Sequence, residues 1–173
     1  MTENIQEQLN EFLNKFDSFN TEGKGLNQEQ FVSLYADLGG IRLSKSAGEH
    51  LFRGVDVDGS GLMTKDEFSK MAKAIIDDDD LYTSKVLFRS LDKDRSNALD
   101  SNEISKLASF LNSDLDSSSI LANITSMTGS ETGTLNFSQI YTLVTKKVLK
   151  NEVDPYDGTN PKSSTQSKCC LLI

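Results

Sequence analysis

Apolar residues along the first 150 positions recur at steps of three and four, the spacing that lines one face of a helix. Ile5, Leu9, Phe12, Phe16 and Phe19 form the first such face. Phe31, Leu34 and Tyr35 begin a second, which ends at Gly39-Gly40, glycine being the residue that most readily takes a helix's left-handed terminal position. A third helix starts at Ser44 or Ser46 and runs to Val55, with Ser46 and Glu49 spaced as a capping box. His50, the single histidine, lies within it, where a surface or packing role is expected. Phe68, Met71, Ala72 and Ile75 make the inward stripe of a fourth, preceded by Thr64 and Glu67 at capping-box spacing. Another helix begins at Leu81, a following one carries Ile104, Leu107, Ala108 and Leu111, and the next Ile120, Leu121, Ile124 and Met127.

The stripes repeat. Leu51-Phe52-Arg53-Gly54-Val55-Asp56 and Leu87-Phe88-Arg89-Ser90-Leu91-Asp92 are one phrase written twice, 36 residues apart. A further 36 residues back from Asp56 stands Asn20, after Phe16 and Phe19; 36 forward from Asp92 stands Thr128, after Ile124 and Met127. A fixed period of this length marks a chain built from copies of one helical unit.

Between the stripes lie two loops with carboxylates at alternate positions. In Asp56 to Glu67, oxygen-bearing side chains stand at loop positions 1, 3, 5, 9 and 12, and Gly61 holds position 6. A hard divalent cation takes six to eight oxygens at about 2.4 Å, and a tight turn delivers them when alternate side chains point inward. Asp56, Asp58 and Ser60, the Leu62 carbonyl, Thr64 directly or through water, and a bidentate Glu67 would supply them. The second loop offers Asp92, Asp94, Ser96, the Ala98 carbonyl, Asp100 and Glu103, with Asn97 in the glycine's place. Asparagine tolerates positive φ better than other non-glycine residues, so the loop is expected to survive.

Both loops resemble the EF-hand, and the four-fold repeat resembles the calmodulin superfamily over about residues 5 to 150. The resemblance implies an all-α fold of two EF-hand pairs, residues 1–76 and 81–150, joined by the acidic linker 77–80 and followed by a tail, 151–173. It further implies short strand pairing near Leu26 and Met63 and near Leu99 and Leu135.

The outer loops depart from the pattern. The first, Asn20 to Gln30, is one residue short, carries Lys24 where an oxygen belongs, and closes with an amide. The fourth has Thr128, Ser130, Thr132, Gly133, Asn136 and Gln139, without a full charge at any ligand position. A neutral loop does not repay the dehydration of calcium, so both are expected to be structural, leaving two calcium ions per chain with dissociation constants of about 10⁻⁷ to 10⁻⁵ M.

Composition narrows the classes. A net charge of −8 and a pI near 4.7 argue against nucleic acid and suit a cation binder. No run approaches the 18 apolar residues of a membrane span, and the polar start Met1-Thr2-Glu3-Asn4 predicts neither a signal peptide nor N-myristoylation. No nucleophile-base pair or phosphate-cradling glycine loop stands out, so the chain is not expected to be an enzyme. Asp77 to Asp80 reads as a solvated connector that also puts acid at a helix start.

Beyond Lys150, turn formers replace apolar residues and predict a flexible tail ending in Cys169-Cys170-Leu171-Leu172-Ile173. Its last four residues fit the prenylation pattern at Cys170, leaning toward geranylgeranyl, and Cys169 is a palmitoylation candidate. The expectation is a calcium sensor tethered to the cytosolic face of a membrane, opening on calcium to engage a helix of a target protein. The alternative is a calcium buffer or a fixed regulatory subunit. With only four methionines, a sensor groove here would rest on Phe and Leu and choose targets narrowly.

Overall fold

A computed structural model describes residues 2–39, 42–110, 117–129 and 133–159. Its chain is all-α, with eight helices among the described residues: α1 (Thr2–Phe19), α2 (Gln28–Asp37), α3 (Lys45–Val55), α4 (Lys65–Asp77), α5 (Asp80–Leu91), α6 (Ser101–Phe110), α7 (Ser117–Thr128) and α8 (Phe137–Thr145). Two units form, 1–86 and 87–173, so the division falls inside α5 and not at the acidic stretch before it.

In the first unit the predicted stripes meet. Phe16, Phe31, Leu34, Phe52, Val55, Phe68, Met71 and Ala72 are buried together, with the Phe16 and Phe68 rings tilted at 34° and 5.0 Å between centres and Phe31 edge-on to Phe52 at 5.9 Å. Two stripe residues fall outside this core: Ile5 is 38% exposed and Ile75 is 52% exposed. Both lie within one turn of a helix end, and Ala74 is buried instead of Ile75. Tyr82 and Val86, from the start of α5, pack on the same core. Gly54 permits this approach, because a Cβ there would lie 2.4 Å from the Val86 carbonyl oxygen.

Caps decide where the helices begin. Ser44 starts α3, its hydroxyl accepting from the Ala47 amide at 3.2 Å. The Ser46–Glu49 box is not formed; Ser46 lies inside the helix beside His50, and Glu49 pairs with Arg53 one turn on. With Ser44 as the N-cap, Ser46 and Glu49 both fall inside α3, where Ser46 is no longer at a capping position. Thr64 and Glu67 do form the reciprocal box that opens α4. Asp78 ends α4 in the left-handed conformation, and Asp79 accepts from the Leu81 and Tyr82 amides at 2.9 and 3.1 Å, so the acidic stretch is largely helix end and helix cap.

The second unit buries Phe88, Leu91, Leu99, Ile104, Ile124, Leu135, Phe137, Ile140 and Tyr141, with Phe88 edge-on to Phe137 at 5.7 Å. The side chains of Leu107, Ala108, Ile120 and Leu121, and residue Leu111, lie outside the described residues.

In each unit one residue pair ties loop to loop. Leu26 and Met63 exchange N–H···O bonds of 2.9 and 2.8 Å, and Leu99 and Leu135 exchange bonds of 2.8 and 2.9 Å. These are isolated antiparallel bridges with all four side chains buried.

The expected flexible tail is corrected for its first part. Pro155 and Tyr156 are buried, Tyr156 to 1% exposure. Asp154 builds a turn there by accepting from the Tyr156 amide at 2.9 Å and the Gly158 amide at 2.7 Å. A lone aromatic among turn formers carries no periodicity, yet burying one large ring offsets the ordering of a short segment. Ser163 to Ser167, Cys169 and Cys170 lie outside the described residues.

Candidate metal centre

The turn after α3 gathers the first set of oxygens. Asp56 closes that helix, its carboxylate turned back over the loop to accept from the Ser60 amide at 3.1 Å and the Gly61 amide at 2.9 Å. Gly61 takes φ of +78°, and a left-handed residue at this position reverses the chain. The Ser60 hydroxyl, 3.4 Å from Asp56 Oδ1, donates to the Leu62 carbonyl at 3.0 Å, so oxygens of positions 1, 5 and 7 converge. Glu67 reaches back from the first turn of α4, its Oε1 accepting from the Val57 amide at 2.8 Å. Carboxylate oxygens of Asp56, Asp58 and Glu67 all lie within 4.8 Å of one another.

The loop after α5 repeats this geometry. Asp92 accepts from the Ser96 and Asn97 amides at 2.9 Å each, and the Ser96 hydroxyl donates to the Ala98 carbonyl at 2.7 Å. Glu103 Oε1 accepts from the Lys93 amide at 3.0 Å, and Asp92, Asp94 and Glu103 again hold oxygens within 4.8 Å of one another. Asn97 stands at φ +66°, the conformation Gly61 adopts. Position 4 is left-handed as well, Gly59 at +70° and Arg95 at +56°, a demand the sequence pattern did not reveal.

Position 9 behaves differently. Thr64 is the N-cap of α4, and its hydroxyl lies 2.8 Å from Glu67 Oε2. Asp100 Oδ1 accepts from the Asn102 and Glu103 amides at 2.8 and 2.9 Å, turned to the start of α6 and outside the three-carboxylate group. In both loops this residue organises the closing glutamate.

The crowding has an electrostatic signature. Burial, reinforced by the neighbouring Asp58 and Glu67 charges, raises the Asp56 carboxyl above the usual carboxylate range. Burial does the same to Asp92 and Glu103, against the amides that stabilise their ionised forms. Two like charges 4 Å apart repel by about 1 kcal/mol in water and about 4 at an effective dielectric of 20. Three carboxylates beside a carbonyl and a hydroxyl, without a nitrogen or sulfur ligand, form a donor set that fits a hard divalent cation.

The outer loops close by another route. In the first, Gln30 Oε1 accepts from the Asn27 amide at 2.9 Å while its Nε2 donates to the Phe19 carbonyl at 3.4 Å. In the fourth, Gln139 Oε1 accepts from the Asn136 amide at 2.9 Å while its Nε2 donates to the Met127 carbonyl at 3.3 Å. The amide's second arm thus ties the loop's end to the preceding helix. Ser130 and Thr132 of the fourth loop lie outside the described residues.

The residue that sequence reasoning missed is Tyr156. Its hydroxyl donates to Asp92 Oδ2 at 2.8 Å, its ring lies under the Arg95 guanidinium at 5.3 Å, and the Arg89 guanidinium donates to the Pro155 carbonyl at 2.6 Å. Burial and the adjacent Asp92 charge push its phenol well above the ordinary tyrosine value. The available signal was one aromatic residue inside Asp154-Pro155-Tyr156-Asp157-Gly158.

No family model matches the chain. Among curated proteins it is similar to troponin C, isotype gamma, of Astacus leptodactylus, 32% identical over 76 residues, which is 43% of this chain and 51% of the relative. It is similar also to troponin C, isoform 2B, of Homarus americanus, 32% identical over 75 residues, 43% of this chain and 50% of the relative. Isoform 2A of the same species is 30% identical over 76 residues, 43% of this chain and 51% of the relative. The chain thus spans about half the length of the curated relatives it matches.

Proposed function

We propose that this chain is a calcium-binding regulatory protein that holds one ion in each of the loops Asp56 to Glu67 and Asp92 to Glu103. The observation that carries the reading is the pair of three-carboxylate groups, built alike on hydroxyl and carbonyl oxygens in two different units. Asp56, Asp58, Ser60, the Leu62 carbonyl and Glu67 would hold the first ion, and Asp92, Asp94, Ser96, the Ala98 carbonyl and Glu103 the second, with Thr64 and Asp100 ordering the glutamates. The amide closures of the outer loops support two ions over four. Calorimetric titration tests this directly: two ions per chain support it, and the absence of binding at micromolar calcium overturns it.

The regulatory half of the reading is that calcium changes the apolar surface a target helix would meet. An apolar depression of about 190 Å³ in the first unit, lined by Phe12, Tyr35, Leu38, Gly39, Met71 and Ile75, supports it. Calcium is expected to raise the fluorescence of an apolar dye, whereas an unchanged signal assigns the protein to calcium buffering or a fixed subunit role.

A lipid tether completes the proposal, prenylation at Cys170 reinforced by acylation at Cys169, carried by the Cys170-Leu171-Leu172-Ile173 sequence alone. The intact mass of the protein purified from membranes reads both the C-terminal residue and the lipid. Cys170→Ser is expected to release the protein from that fraction, and retention of the variant in the presence of chelator overturns the tether.

A further inference from the structure

Residues 154–159 stand over the Asp92 loop, held at three points that serve the loop differently. Tyr156 Oη donates to Asp92 Oδ2 at 2.8 Å, and the Asn97 amide donates to that same oxygen at 2.9 Å. Two donors occupy the two lone pairs of Oδ2, which fixes the carboxylate's rotation and presents Oδ1 to the side where Ser96 lies. The corresponding carboxylate in the first unit, Asp56, has its Oδ2 on the Gly61 amide. The Tyr156 ring also lies beneath Arg95, the residue of the loop that stands at positive φ without being glycine or asparagine. Such a conformation is unfavourable for a residue that carries a β-carbon, and the ring beneath the guanidinium opposes its relaxation. Arg89, 1% exposed, anchors the segment by donating to the Pro155 carbonyl. The segment is preshaped for this, since Asp154 accepts the Tyr156 and Gly158 amides and Thr159 donates to the Tyr156 carbonyl at 2.6 Å.

We propose that Tyr156 is a positioning residue of the Asp92 loop, so that cation binding there and seating of residues 154–159 are linked. The proposal rests on the calcium reading above. Outer partners that orient a ligand carboxylate typically change metal affinity 10- to 100-fold when removed. Linkage is reciprocal, so an ion that favours the held carboxylate also favours the docked segment. Residues 154–159 are then a reporter of the second site, and their freedom depends on calcium.

The test uses the full chain in two backgrounds, Glu67→Gln, which leaves the Asp92 loop, and Glu103→Gln, which leaves the Asp56 loop. Calorimetry on these two parents reads the calcium assignment before Tyr156 is altered. Tyr156→Phe removes one hydroxyl and keeps the ring over which Arg95 lies. It is expected to weaken calcium binding about tenfold in the first background and to leave the second within about twofold. Amide exchange on proteins with Tyr156 intact gives the second measurement. Calcium is expected to slow exchange at Tyr156 and Gly158 in the Glu67→Gln protein and not in the Glu103→Gln protein. Unchanged affinity of Tyr156→Phe, equal weakening of both loops, or exchange indifferent to calcium overturns the proposal while the calcium reading stands. Failure of the unsubstituted chain as well as both parents to bind calcium overturns the two together.

Discussion

Gln139 donates its side-chain amide to the Met127 carbonyl at 3.3 Å, spanning the fourth loop from the start of α8 to the end of α7. The glutamates at the same place in the middle loops have no hydrogen to give; Glu67 and Glu103 accept backbone amides instead and keep their charge inside the loop. An amide closes its loop as it stands, whereas a carboxylate leaves repulsion for a cation to relieve.

Gln139→Ala removes both arms of this closure and is expected to cost about 1–2 kcal/mol, read as a lower midpoint in urea unfolding. Gln139→Glu restores a carboxylate without the other ligands, so calorimetry should still count two ions. A third ion would show that the fourth loop lacks only its last residue.

Glu67→Gln and Glu103→Gln each replace one carboxylate oxygen of a group with an amide nitrogen and remove its charge, ending bidentate ligation, and are expected to remove one ion apiece. Loss of both ions on a single substitution would instead place the two sites in one cooperative unit.

The metal-free protein carries a pH dependence with a definite sign. The Asp56, Asp92 and Glu103 carboxyls are raised above the usual carboxylate range in the folded protein, burial being the first cause in each. A raised carboxyl favours folding while protonated, and that contribution is lost as pH climbs from about 4 through the raised values. In chelator, Asp56→Asn is therefore expected to raise the thermal midpoint at pH 7.5, with the gain shrinking toward pH 4. A midpoint equal to that of the parent at pH 7.5 would remove the burdened-carboxylate account of this loop.

Gly54→Ala places a methyl group 2.4 Å from the Val86 carbonyl oxygen, which the backbone of α5 relieves only by moving away. The expected loss is about 1–3 kcal/mol, measured by chemical unfolding. Neutrality would mean that α3 and the start of α5 separate freely.

The sequence alone determined the helices, the repeat and both carboxylate groups, because each is a local matter. Stripes such as Phe16 and Phe19 or Phe52 and Val55 follow the 3.6-residue period, and ligands at Asp56, Asp58, Ser60 and Glu67 follow from spacing within one turn and one cap. Asn97 at positive φ was legible for the same reason, since its φ is set by the residue's own place in the loop. Tertiary structure decided what depends on residues far apart in the chain. Ile75 is 52% exposed at the end of its stripe, and Ala74 is buried in its place. Tyr156 finds Asp92 across 64 residues, through a hydrogen bond that depends on Arg89 and Arg95 having been brought to the same place by the fold of α5 and its loop. No period or spacing encodes such a contact; it exists because a phenol can be buried only where its hydroxyl meets an acceptor, and the folded unit offered one.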